Sequence, residues 1–210
     1  MAAISRTPSV SPAGERPQPG LRERKKLKTR AAIRRATYRL ILERGYDATT
    51  IEQIAEAAEV SPSTVFRYFP AKEDIVLTDA YDEVLEAGLR RRPPGERPLD
   101  SLRSVLTGTL PAFLTRNEEE VRQRTRLMVE VPAVRARLTE SLSVTARMLA
   151  EVLADRTGRR PDDLVVRVFV AAVLGALREA TLCWGERGQN DDLAALIDEA
   201  LDTLEGGLEL

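Results

Sequence analysis

The chemistry this chain can offer is concentrated in Ser61, Ser63, Thr64, Arg67, Tyr68 and Lys72, a run of small hydroxyls followed by two cations and a phenol. Short hydroxyls on the first turn of a helix let its backbone come close to base edges in a DNA major groove. Longer side chains a turn later reach phosphates or bases further out. Catalytic chemistry has no comparable set. There is no histidine in the 210 residues, which excludes histidine-dependent catalysis and His-ligated metal sites. A phosphate-binding Gly loop and a nucleophile beside an evident base are also missing. We expect no catalytic residue, no metal and no cofactor. The competing explanation of the hydroxyl and cation pattern is a compact helical hairpin with a polar surface.

Two short helices must position these side chains. Thr50 is a good N-cap, and Gln53 three residues later completes a capping-box pattern. Ile51, Ile54, Ala55 and Ala58 then recur at helical spacing. Ser61 caps the second helix, with Pro62 at its first position, where the missing N–H costs nothing. Val65 and Phe69 face inward at i, i+4, which leaves Ser63, Thr64, Arg67 and Tyr68 outside, and Pro70 stops the helix.

The stretch Thr50-Ile51…Ile54-Ala55…Val60-Ser61…Thr64-Val65-Phe66-Arg67-Tyr68-Phe69…Lys72 resembles the DNA-binding signature of the TetR family of bacterial transcription regulators, over about residues 22 to 77 without a gap. The chain departs from the family at Phe66, where tyrosine is usual and a phosphate-contacting hydroxyl is absent; Phe66 can still pack or touch a thymine methyl. The resemblance implies a helix–turn–helix that contacts DNA through Thr50, Ser61, Ser63, Thr64, Phe66, Arg67, Tyr68 and Lys72, with Lys72 directed at a phosphate. It also implies a homodimer that reads a palindromic operator and is released by a small-molecule ligand. Repression is the expected sense of regulation. Activation, or a ligand-binding helical protein with a weakened DNA role, is the alternative.

Charge is distributed in keeping with a polyanion partner. The whole chain carries −1, but Leu21 to Arg44 holds ten basic residues against Glu23 and Glu43, a local +8. Arg24, Lys26 and Lys28 in this run are candidate phosphate contacts, as part of an arm or the first helix. Such contacts supply salt-sensitive affinity rather than sequence choice. Aromatic residues are only 4% of the chain and no run alternates as strands do, so the fold class expected is all-α. The single Cys183, the lack of an apolar leader in residues 1–20, and a longest apolar run of only Val168 to Leu177 lead us to expect a cytoplasmic protein outside the membrane.

In chain order, the Pro-, Ser- and Gly-rich residues 1–20 read as a disordered tail. Residues 21–71 read as the DNA-binding domain, whose first helix has a core stripe of Ile33, Ala36, Thr37, Leu40 and Ile41 and stops at Gly45; Tyr46 is expected to pack beneath this unit. A long connecting helix is expected over 72–92, and Pro93 to Pro98 forms a loop. Residues 99–210 then read as a helical ligand-binding and dimerisation domain, giving about nine helices in all. Its first helix is expected to bend or break near Pro111. The helix over about 162–184 is apolar nearly all round, so one side must meet its own domain and another a partner. With residues 191–206 it is the expected dimer interface. Candidate ligand-pocket walls are Tyr81, Phe113, Leu127, Met128, Met148, Phe169, Arg178 and Trp184, each of which could equally serve as core. Arg178 interrupts an apolar surface and could pair with Glu179 or anchor an anion. One or two arginines in an apolar pocket would suit an acyl thioester or another amphipathic anion.

Overall fold

The computed structural model describes residues 20–78 and 81–208, so the expected tail at residues 1–20 lies outside the described residues except for Gly20. Among the described residues there are ten helices and no strand. In chain order they are α1 (Leu21–Arg44), α2 (Ile51–Ala57), α3 (Pro62–Tyr68), α4 (Lys72–Leu77), α5 (Tyr81–Arg90), α6 (Pro98–Arg116), α7 (Glu118–Glu130), α8 (Pro132–Thr157), α9 (Leu164–Glu186) and α10 (Leu193–Glu205).

Local chemistry accounts for many of the ends. The Thr50 hydroxyl accepts the Gln53 N–H at 3.3 Å while the Gln53 side chain accepts the Thr50 N–H at 3.1 Å, closing the capping box of α2. Ser61 caps α3 by accepting the Thr64 N–H at 3.2 Å. Asp74 caps α4 in the reverse sense, its carboxylate accepting the Ala71 N–H at 2.9 Å. Gly158, with φ +67°, ends α8 in the left-handed region where glycine carries no Cβ penalty.

Three hydrophobic clusters organise the packing. Ile33 and Leu40 of α1, Ile54 and Ala55 of α2, Val65 of α3 with Phe69 just after it, and Ile75 of α4 form the core of the N-terminal unit. The largest cluster joins α5, α6, α8, α9 and α10 with Val121 of α7. Between them lies a seam in which Tyr38, Ile41, Tyr46, Val76 and Leu77 pack on Leu127, Met128, Val134, Leu138 and Leu182. Tyr46 sits in this seam, beneath the three-helix unit. Polar ties cross the same seam. Gln123 donates to the Tyr38 carbonyl at 2.8 Å, Arg34 pairs with Glu120, and Arg137 holds Asp74 through two nitrogens at 2.9 and 3.1 Å.

Two expectations are corrected. The single connecting helix over 72–92 is two helices: α4 ends at Leu77, Thr78 has ψ +118°, and α5 begins at Tyr81. The Tyr38 hydroxyl donates to the Val76 carbonyl at 2.8 Å, taking the acceptor that a continuing helix would offer to the residue four positions on. Of the bend or break expected near Pro111, the break does not occur: α6 runs through it to Arg116. Pro111 and Thr107 are both exposed, so the carbonyl deprived of its helical donor can face water.

Glycine permits a close helix approach between α7 and α9. A Cβ on Gly185 of α9 would lie 2.7 Å from Thr125 Cγ2 and 2.9 Å from Val129 Cγ2 of α7. At the far end, Arg156 of α8 donates to the carbonyls of Leu89, Arg92 and Pro93 and to the Ser101 hydroxyl, stapling the α5–α6 loop. Glu96 in that loop accepts from Arg92 and Ser101, which holds its carboxyl at about 2, below its ordinary 4.5.

Candidate nucleic-acid interface and cavity

α3 is held from behind and open in front. Val65 and Phe69 are fully buried, and the Arg30 guanidinium lies 5.2 Å from the Phe69 ring centre, which fixes α3 against α1. In front, the Ser61 hydroxyl lies 2.9 Å from those of both Ser63 and Thr64, so three hydroxyls cluster at the start of the helix. Ser63 and Arg67 are exposed, and Phe66 is 51% exposed, so its ring is presented to solvent rather than packed. The Arg67 guanidinium stacks 5.3 Å from the half-buried Tyr68 ring. Thr50 is exposed at the start of α2 but its hydroxyl is engaged as the cap.

Lys72 has a place that the sequence did not reveal. Its ammonium donates to the Tyr46 carbonyl at 2.7 Å and the Thr49 carbonyl at 2.9 Å, and sits 3.9 Å from the Tyr46 ring centre. Two of its three donors are thus engaged within the chain, tying the α1–α2 loop to the start of α4. Burial lowers its pKa, against the opposing pull of Glu73 and Asp47. The Tyr46 hydroxyl donates to Glu73, and burial together with that carboxylate raises the phenol's pKa.

Of the basic candidates on α1, Lys26 borders a cleft facing Arg67 and Tyr68. Arg24 and Lys28 are exposed but do not border it. At 3.6 residues per turn they lie on the other side of the helix from Lys26.

A cavity of about 160 Å³ lies between the seam and the large C-terminal core. Four of the expected pocket residues, Tyr81, Phe113, Met128 and Arg178, border it. Tyr81 and Phe113 meet edge to face at 5.0 Å, and the Tyr81 hydroxyl is 2.6 Å from that of Thr109. The other four do not reach it. Leu127 is buried in the seam, and Met148 and Phe169 pack on the large core. Trp184 is buried, its ring N–H donating to the Asp191 carbonyl at 2.9 Å and its face covered by Arg122 at 5.5 Å. Arg178 pairs with its neighbour Glu179 at 2.7 Å while forming part of the cavity wall.

Asp82, Arg124, Ser141 and Thr145 also border the cavity, although nothing in the sequence had singled them out. The Thr145 hydroxyl donates to Asp82 at 2.8 Å, joining α8 to α5. A signal existed: Val121, Arg124 and Met128 share one helical face, as do Leu138, Ser141, Leu142 and Thr145, so polar residues stand on apolar stripes. Among the described residues no cluster of three or more Cys, Asp or Glu side chains could hold a metal ion, and no helix is long and apolar enough to cross a membrane.

Comparison with known proteins places this geometry. Residues 33–78 match the bacterial regulatory proteins of the tetR family, and residues 96–209 match the MftR C-terminal domain. The HTH-type transcriptional regulator TcmR of Streptomyces glaucescens is 36% identical over 196 residues, covering 89% of this chain and 87% of TcmR. The HTH-type transcriptional repressor KstR of Rhodococcus jostii is 29% identical over 142 residues, 67% of this chain and 59% of KstR. Among solved structures, FadR of Thermus thermophilus, a TetR-family repressor in complex with lauroyl-CoA, superposes with a TM-score of 0.53 at 26% identity, covering 86% of this chain and 95% of that one. The matches at both ends of the chain and the likeness to TcmR over most of its length lead to one conclusion: this protein belongs to the TetR family of bacterial transcriptional regulators.

Proposed function

We propose that this regulator is a homodimeric repressor that reads a palindromic operator with α3 and leaves it when a small molecule enters the cavity. The observation that carries this reading is the double role of Leu77, at the end of α4, which packs in the seam beneath the N-terminal unit and also forms part of the cavity wall. An occupant that displaces Leu77 moves the helix on which the DNA-reading unit is mounted. In this reading residues 21–71 contact DNA, 72–92 connect, and 99–210 hold ligand and partner. Ser63, Thr64, Phe66, Arg67 and Tyr68 face the DNA, with Thr50 and Ser61 at the helix starts and the remaining Lys72 donor near a phosphate.

The dimer surface we assign is the outer side of α9 with α10. Leu164, Val165 and Val168 are 76%, 53% and 58% exposed, and Ala171 and Ala172 continue the same stripe. A Cβ on Gly175 would meet nothing within 4 Å, so the stripe stays open to a second helix there. An apolar helix face of this extent is stable in water when a partner covers it.

The ligand we infer is an amphipathic anion, because apolar side chains and Arg178 line the same cavity. At about 160 Å³ the cavity is close to one that holds benzene, roughly 150 Å³. A long acyl thioester, such as that bound to the Thermus FadR, would have to part the surrounding helices in order to enter. That parting is the displacement that repression would not survive.

Selection of random duplex DNA by the purified protein at about 150 mM salt, near physiological ionic strength, tests the reading. Enrichment of a palindrome with half-sites one turn apart, roughly 34–36 Å, or a larger related spacing, is expected. Sequence-blind binding alone would remove α3 from its assigned role.

A further inference from the structure

One side chain on the outer face of α3 has no polar atom. Ser63, Phe66 and Arg67 lie within about 100° of one another around the helix and are all exposed, whereas Val65 is buried on the far side. Between Gly45 and Leu77, Phe66 is the only large hydrophobic side chain exposed among the described residues. Its neighbours on this face are engaged, Ser63 with the Ser61 hydroxyl at 2.9 Å and Arg67 with the Tyr68 ring at 5.3 Å. A single exposed apolar residue is ordinary on a protein surface. This one stands between a hydroxyl and a guanidinium on the face we assign to the duplex.

The parts of a duplex differ in what they offer such a ring. A phosphate oxygen set against it loses water and gains no hydrogen bond. The donors and acceptors on base edges in the major groove would be left unpaired in the same way, and the thymine 5-methyl is the apolar group that tells base pairs apart there. Tyrosine is usual at this position in the family, and its hydroxyl would reach a phosphate. With phenylalanine this chain exchanges a sequence-blind polar contact for an apolar one.

We infer that Phe66 is a specificity-determining residue: its ring covers the 5-methyl of one thymine in each half-site of the operator. The inference rests on the DNA-binding reading and deepens it, since it names a base that α3 selects and the chemical group by which it is selected.

Deoxyuridine tests it, because it lacks the methyl and keeps every hydrogen-bonding group of thymine. In the palindrome enriched by the full-length protein, each symmetry-related pair of thymines is replaced in turn. Burial of one methyl-sized group corresponds to about a fourfold change in affinity, so the wild type is expected to lose roughly fifteenfold at one such pair, with a methyl gone from each half-site. There Phe66→Ala should bind the thymine and deoxyuridine duplexes alike, while Phe66→Leu, still apolar, should keep part of the preference. Both variants should retain the wild-type slope of log K against log salt, since the ring neutralises no phosphate. An enriched palindrome that lacks thymine, or wild-type indifference to deoxyuridine at every position, overturns the inference and leaves the DNA-binding reading intact. So does a methyl dependence that persists in Phe66→Ala, which would belong to another side chain. A fall in the salt slope of the variants also overturns it, because the ring would then be supporting phosphate contacts. If no palindrome is enriched, the DNA-binding reading itself falls and the inference falls with it.

Discussion

Whereas α3 divides its labour between two sets of residues, the cavity gives both tasks to one. Val65 and Phe69 hold α3 in place and are buried, while Ser63, Phe66 and Arg67, which we assign to DNA, are exposed and tied only to near neighbours. In the cavity, Tyr81, Leu85 and Leu106 are wall and core at once. An exposed recognition surface can therefore change without changing the fold it stands on. A cavity wall cannot, since each side chain that would touch a ligand also fills space between helices.

Substitutions can sharpen or break that contrast. The largest effect is expected from Phe69→Ala, which empties the core behind α3 at a cost of about 3–5 kcal/mol and should abolish DNA binding together with the fold of the N-terminal unit. Thermal unfolding and duplex binding should fail together. Met128→Ala, in the cavity wall and the seam, should cost about 2–5 kcal/mol and alter ligand response and stability in parallel; a ligand-response change at unaltered melting temperature would break the comparison. Arg67→Ala should weaken operator binding by about 1–3 kcal/mol, up to roughly a hundredfold, and leave stability within about 0.5 kcal/mol. Unfolding midpoints read beside binding isotherms separate the two effects. The smallest effect belongs to Arg178→Ala, whose half-exposed pair with the exposed Glu179 contributes about 0–1 kcal/mol. It is the one cavity residue expected to behave like the α3 surface, and a large loss of stability would show that it too is core.

The capping of α2 by Thr50 and Gln53 and of α3 by Ser61 was legible because each bond closes within three residues. The buried pair Val65 and Phe69 followed from helical period. The interruption at Thr78 was not legible, because the hydroxyl that takes the Val76 carbonyl comes from Tyr38, 38 residues earlier. The position of Lys72 was hidden for the same reason: Tyr46 and Thr49, its acceptors, belong to a different loop. In the cavity, the adjacent residues Leu127 and Met128 turn to different neighbours, and only the packing of α7 decides which one borders the space.

The sequence by itself determined the all-helical class, the two capped helices of the DNA-reading unit, its basic approach and the family. These depend on side chains acting on backbone within a turn or two, or on the summed charge of a short run. Tertiary structure alone decided where the connecting helix breaks, which side of α1 faces α3, and which residues enclose the cavity. Those outcomes are set by helix rotation and by bonds between distant segments, and a one-position change in rotation exchanges a wall residue for a core residue without altering the apolar pattern along the chain.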